Sequence, residues 1–267
     1  MQEEITAENY GVTRQALTKD QILDFQIPLP ALSEQVRIVD KLDALLGRVH
    51  ACRERLNRLP TILKRFRQSV LASAASGELT RDWREQHQLG QPTRTTLGDV
   101  IKVSSGKSLP AKLMAVDGTI PVFGGNGITG YHDKANVEEE TLVIGRVGYY
   151  CGSVHLTPKL AWVTDNALIV RHDPALTLRR FLHIALQAAN LRVNDSSTAQ
   201  PVISGAKIYP TPILIPDVRE QEEIVRRSEI LFEQAGQFEK QCNAVALRAD
   251  RLVPSILAKA FRGELVP

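Results

Sequence analysis

The sequence predicts an α+β protein: one strand-rich domain combined with two long helices that pair as an antiparallel coiled coil. Three observations carry this: a long internal repeat, a heptad-spaced apolar seam in each copy, and short β-rich runs between the copies.

The repeat comes first because it sets the organisation. A gapless shift of 186 positions places Leu29-Pro30 on Ile215-Pro216, Glu34-Gln35 on Glu220-Gln221 and Ile38-Val39 on Ile224-Val225. It also places Asn57 on Asn243, Ser69, Leu71, Ala72 and Ala74 on Ser255, Leu257, Ala258 and Ala260, and Gly77-Glu78-Leu79 on Gly263-Glu264-Leu265. A single register held that far marks a duplicated unit.

In the first copy the apolar seam is Ile38, Leu42, Leu45, Val49, Cys52, Leu56, Leu59, Leu63, Phe66 and Val70. Steps of four and three alternate, the spacing of a coiled coil. The second copy carries Ile224, Leu231, Ala235, Phe238, Cys242, Val245, Ala249, Leu252 and Ile256, with Ser228 as its polar member. A helix of roughly 35 residues spans about 50 Å. Pro60 and Pro254 are expected to kink or restart the helices, since proline lacks the amide donor. Gly77 and Gly263 are expected to stop them, and Asp217 with Glu220 has capping-box spacing. The first copy is basic toward its end (Arg53 to Arg67) and the second acidic toward its start (Glu220 to Glu239). Antiparallel pairing sets these charges side by side; each exposed pair is weak, so they speak to orientation more than stability.

Taken in order, residues 1–30 match the end of the strand-rich domain under the shift and are expected to be the tail of a missing or truncated first domain. Either a naturally half-length protein or a shortened chain fits that reading. Residues 31–90 form the first helical region; the polar stretch of Arg81, Trp83, Arg84 and His87 is expected to be a linker. Residues 91–216 form the strand-rich domain, with strands expected at 100–103, 120–123, 141–144 and 167–171 between Gly, Asn and Asp turns. Phe123-Gly124-Gly125-Asn126-Gly127 is a turn signal that lacks the spacing of a phosphate-binding loop. Gly145-Arg146-Val147-Gly148 sets a lone Arg between glycines directly after a strand; glycine lets backbone approach a ligand, and Arg reads guanine or grips phosphate with two donors. A hairpin turn with a surface Arg reads equally well. A helix over 177–193 turns Leu178, Phe181, Leu182, Ala185, Leu186 and Ala189 toward the core. The 194–200 loop offers Ser196, Ser197, Thr198 and Gln200 as hydrogen-bonding groups, and residues 217–267 form the second helical region.

Formal net charge is only +3, concentrated as a basic excess over residues 31–213. That permits nucleic-acid binding without requiring it. No apolar run reaches the roughly 18 residues of a membrane span and no signal peptide opens the chain, so no membrane partner is expected. Cys52, Cys151 and Cys242 are scattered, which fits a reducing, cytoplasmic setting. His and Cys never fall at metal-ligand spacings, and the nucleophile-elbow, kinase and amino-methyltransferase signatures are missing. No metal, no cofactor and no catalytic residue is expected.

The repeat with Ile27-Pro28-Leu29-Pro30, Glu34-Gln35 and Gly77-Glu78-Leu79, its second copy, and the loops at 122–127 and 145–148 resemble the specificity subunit of type I restriction–modification systems, in a half-length form with one target recognition domain. The resemblance implies a non-catalytic subunit that reads one half of a bipartite site in double-stranded DNA. It further implies that the helices dock methyltransferase subunits and, through them, restriction subunits, with a homodimer through the helices as a further expectation. Candidate DNA contacts are Ser105, Lys107, Asn126, Arg146, Tyr149, Asn166, Thr198, Gln200 and Lys207. The alternatives are a coiled-coil adaptor that binds only protein and a stand-alone enzyme.

Overall fold

The structure, a computed structural model, describes residues 19–24, 29–115, 117–194 and 202–266. In chain order the elements are α1 (Lys19–Leu23), α2 (Leu32–Ala75), α3 (Arg81–Gln86), β1 (Thr93–Thr96), α4 (Leu97–Val100), β2 (Ile101–Ser105), β3 (Ile120–Gly124), β4 (Gly127–His132), β5 (Leu142–Gly145), β6 (Val154–Leu156), β7 (Trp162–Val163), β8 (Ala167–His172), α5 (Arg179–Ala188), α6 (Gly205–Ile208), β9 (Pro212–Ile215) and α7 (Val218–Phe261). Two compact units divide the chain: Met1–Leu59 with Lys240–Pro267, and Pro60–Glu239.

The long helices α2 and α7 each run 44 residues, continuing through Pro60 and Pro254 rather than restarting there. Both prolines are exposed, and seam residues on either side hold the helix across the lost hydrogen bond. Gly77 and Gly263 stop the helices in the left-handed conformation, at φ 75° and 72°. After Gly263 the Glu264 amide donates to the Lys259 carbonyl at 2.9 Å, satisfying a terminal acceptor. At the start of α7, Asp217 accepts the Arg219 amide at 2.9 Å. Glu220 completes no capping box: its carboxylate is buried on other partners.

The helices pair antiparallel within one chain, and each unit establishes this separately. In the first unit Arg53 meets Asp250 at 2.6 Å, while Ile38 and Leu42 share a groove with Ala260 and Phe261. In the second, Arg67 meets Glu239 at 2.7 Å, and Arg227 donates to the Leu79 carbonyl at 2.9 Å. Along α2, Val49, Leu63 and Val70 are buried and Ile38, Leu42, Leu45, Cys52, Leu56 and Leu59 are half-buried. Along α7, Ile224, Ser228, Ala235 and Ala249 are buried, with Leu231, Cys242 and Ile256 half-buried. Phe238, Val245 and Leu252 differ from expectation, standing 48%, 44% and 48% exposed. Two heptad phases share Ala235, Cys242, Ala249 and Ile256; they differ in whether the intervening position lies three or four residues on. The helix turns in the residues four on, Glu239, Ala246 and Val253, which are half-buried. Phe66 is likewise 39% exposed.

In the second unit the strand-rich domain holds three sheets: β2-β8-β5-β6, antiparallel throughout; β4-β3-β7, with β3 and β7 parallel; and the pair β1-β9. The four expected strands appear within a residue or two. The β1-β9 ladder (Thr93↔Ile215 to Thr96↔Pro212) is new, because TRTT and PILI are too short for periodicity to reveal. The core gathers Leu142, Ile144 and Val170 from the four-stranded sheet, Phe181, Leu182 and Leu186 from α5, and Ala74 and Ile224 from the long helices. Thus α5 packs with its predicted face inward. It ends at Ala188 rather than 193, since Asn190 takes a left-handed φ of 44° and the chain turns into a 3-10 helix over Leu191–Asn194.

The stretch expected as a linker is ordered. It forms α3, and Arg84 on α3 is only 6% exposed.

Candidate nucleic-acid interface

Four chain segments meet around Arg146, at the C-terminal end of β5. The Arg146 amide donates to the Asn166 carbonyl at 2.9 Å, and its carbonyl accepts the Ile203 amide at 2.8 Å. The hairpin turn after β3 packs on the same spot: a Cβ added at Gly145 would collide with the Gly125 carbonyl, so glycine is required there by close approach. Ser153 Oγ also donates to the Gly125 carbonyl at 3.0 Å. Arg146 is therefore fixed by its backbone while its side chain stays lightly held. Its Nη1 has two long contacts, 3.3 Å to Ser105 Oγ and 3.4 Å to the Asp165 carbonyl. A guanidinium carries five donors, so most remain for a ligand.

Of the expected contacts, Ser105, Arg146 and Asn166 are brought together here, with exposed Asn126 in the adjoining turn. Lys107 lies beside them, its amide donating to the Val163 carbonyl at 3.0 Å and its carbonyl accepting from Trp162 Nε1 at 3.1 Å. Lys207 is turned inward: Nζ donates to the Val202 carbonyl at 2.6 Å. Tyr149 faces a separate cleft and is 70% exposed. Thr198 and Gln200 lie outside the described residues. Burial holds the His155 imidazole below its usual range.

The domain is seated on the helices by a buried polar cluster that sequence reasoning missed. Glu220 is fully buried; its Oε1 accepts from Thr80 Oγ1 at 2.7 Å and from Arg84 Nε at 3.1 Å. Arg84 also donates to the Gly77 carbonyl and to Gln91 Oε1. Gln221, equally buried, donates to the carbonyls of Leu176 (3.0 Å) and Pro216 (2.9 Å) and accepts the Leu178 amide at 2.8 Å. Glu223 takes two bonds from Arg226 and one from Arg227, which hold its carboxyl down to about 2. Arg227 then reaches Asp82 at 2.7 Å and the Leu79 carbonyl. The repeated Glu-Gln pair was the visible signal; its partners, over 40 and over 130 residues away, were not.

Among the described residues no three His, Cys, Asp or Glu side chains gather as a metal site, and no helix is long and apolar enough to cross a membrane.

An antiparallel helix pair built from a sequence repeat, together with a strand-rich domain whose loops converge on a lightly held Arg, defines the architecture of the chain. The family model for the type I restriction modification DNA specificity domain matches residues 1–60 and 93–246, and the chain belongs to that family. It is 37% identical over 270 residues to the type I restriction enzyme StySPI specificity subunit of Salmonella potsdam, covering 90% of this chain and 57% of the relative. It is 32% identical over 301 residues to the EcoDI specificity subunit of Escherichia coli, covering 98% and 67%. The chain thus spans somewhat over half the length of these relatives. Among solved structures, a chain from a type I R-M system studied for complex assembly and conformational transition gives a TM-score of 0.72 at 22% identity, over 98% of this chain and 68% of that one. The HsdS subunit from Thermoanaerobacter tengcongensis gives 0.60 at 22% identity, over 98% and 68%. These show the fold.

Proposed function

We propose that this chain is the DNA sequence-reading part of a type I restriction–modification complex, recognising one half of a bipartite site in double-stranded DNA. The observation that carries the reading is Arg146: a backbone fixed from both sides, and a side chain with donors to spare at the junction of four segments. Such a group reads base edges with two donors, while Ser105, Asn126, Lys107 and Asn166 around it contact bases or position phosphates. The chain supplies recognition and no chemistry of its own.

The helix pair docks methyltransferase subunits and, through them, restriction subunits. Each unit's share of the pair keeps apolar side chains exposed: Ile62, Phe66 and Phe238 in one, Val245, Leu247 and Leu252 in the other. Uncovered apolar groups at this density support a protein partner. The test is to co-express the chain with its methyltransferase subunit in a methylation-free host and map the modified bases. A defined motif supports the reading. Methylation that is absent, together with no duplex binding at low salt by the purified chain, overturns it in favour of a protein-only adaptor.

A further inference from the structure

Beside the Arg146 loop lies a cleft of about 800 Å³ formed by α2 and the segment 149–155. Three cations, Lys64, Arg67 and Arg192, line it, and no carboxylate does. Arg67 is already neutralised by Glu239 at 2.7 Å. Lys64 and Arg192 have no ion pair among the described residues, so the uncompensated charge of the cleft is theirs. Arg192 lies over the Tyr149 ring at 4.8 Å, and Tyr149 meets Tyr150 edge to face at 5.0 Å. The cation is thus held on an aromatic platform that is itself exposed, with Tyr149 at 70% and Tyr150 at 54%. Gln68 and Asn190 add neutral hydrogen-bonding groups to the same walls.

Two exposed tyrosines and two cations that have no carboxylate partner among the described residues fit a polyanion that brings its own charge. We propose that this cleft grips the phosphate backbone of the duplex whose bases Arg146 reads, with Lys64 and Arg192 each neutralising one phosphate and Tyr149 holding Arg192 in place. Arg146 and Tyr149 are three residues apart in one loop, so a duplex engaged at Arg146 runs its backbone past the cleft. This inference rests on the DNA-reading assignment and adds α2 to the DNA-contacting surface. A phosphate clamp contributes affinity and salt dependence and no sequence information.

The experiment measures binding of the full chain, with its methyltransferase subunit, to the target duplex and to a scrambled duplex of equal length across a salt series. Each lost phosphate contact lowers the slope of log K against log salt by about 0.9. Lys64→Ala and Arg192→Ala should each show that loss, weaken both duplexes by the same factor, and leave target preference unchanged; Lys64→Arg should restore the wild-type slope. Tyr149→Ala should lower the slope in the same direction through Arg192. Wild-type slopes in Lys64→Ala and Arg192→Ala, measured while the unmodified complex binds DNA, overturn the clamp and leave the base-reading assignment standing. An unmodified complex that binds neither duplex overturns both.

Discussion

Gln35 and Gln221, 186 residues apart, make the same hydrogen bond: Gln35 Nε2 donates to the Pro30 carbonyl at 2.8 Å and Gln221 Nε2 to the Pro216 carbonyl at 2.9 Å. The sequence repeat is therefore a repeat of geometry, a glutamine one turn into a long helix bonded to the carbonyl of the proline five residues before it. The copies differ in what else they carry, for Gln221 also holds Leu176 and Leu178. Gln221→Ala should cost about 1–3 kcal/mol, because it removes one buried and two part-buried bonds to backbone groups. Gln35→Ala removes one part-buried bond and should cost about 0.5–1.5 kcal/mol. Urea titrations of the two variants check the order; an equal loss would contradict it.

Arg84 and Glu220 form a buried ion pair at 3.1 Å, with side chains 7% and 0% exposed. Removing one partner leaves a desolvated charge, so Arg84→Ala should destabilise by about 3–5 kcal/mol. The double variant Arg84→Met, Glu220→Leu should recover most of that loss, since neither charge is then buried. A double-mutant cycle measures the coupling, and additive losses would mean the pair is not linked as described.

Glu223 gives an acid signature. Bonds from Arg226 first and Arg227 second hold its carboxyl at about 2, against an unfolded value near 4.5. Because the folded value is the lower one, this stabilisation is fully present above pH 4.5 and is lost as pH falls toward 2. Thermal midpoints across that window should fall less steeply in Glu223→Gln than in the unmodified protein. Parallel curves would show that the network carries no such linkage.

How much of this was legible in sequence follows from the range of the forces. The repeat, the antiparallel helices, the glycine stops and the four main strands were readable because periodicity and turn chemistry act within a few residues. The α7 seam was misread at Phe238, Val245 and Leu252 because hydrophobicity alone favours the larger residue. The helix pair instead turns in small Ala246 and Val253, which allow close approach. The exit at 81–87 read as a linker because its Arg and Asp are polar; their partners, Glu220 and Arg227, lie over 130 residues further on. For the site, Arg146 between glycines was visible, as was its neighbourhood in part. That Ser105 and Asn166 join it while Lys207 turns to Val202 depends on sheet topology, which a single sequence does not encode locally.

The most direct test of the DNA-reading assignment is selection of random duplexes by the complex of this chain with its methyltransferase subunit, run in parallel for the unmodified chain and for Arg146→Ala. An enriched motif covering one half-site is expected for the unmodified chain. In the variant, preference should relax at one position, with a loss of about 1–3 kcal/mol on the original sequence. An identical enriched motif in Arg146→Ala would contradict the role given to this residue, and no enrichment by the unmodified chain would contradict the assignment itself.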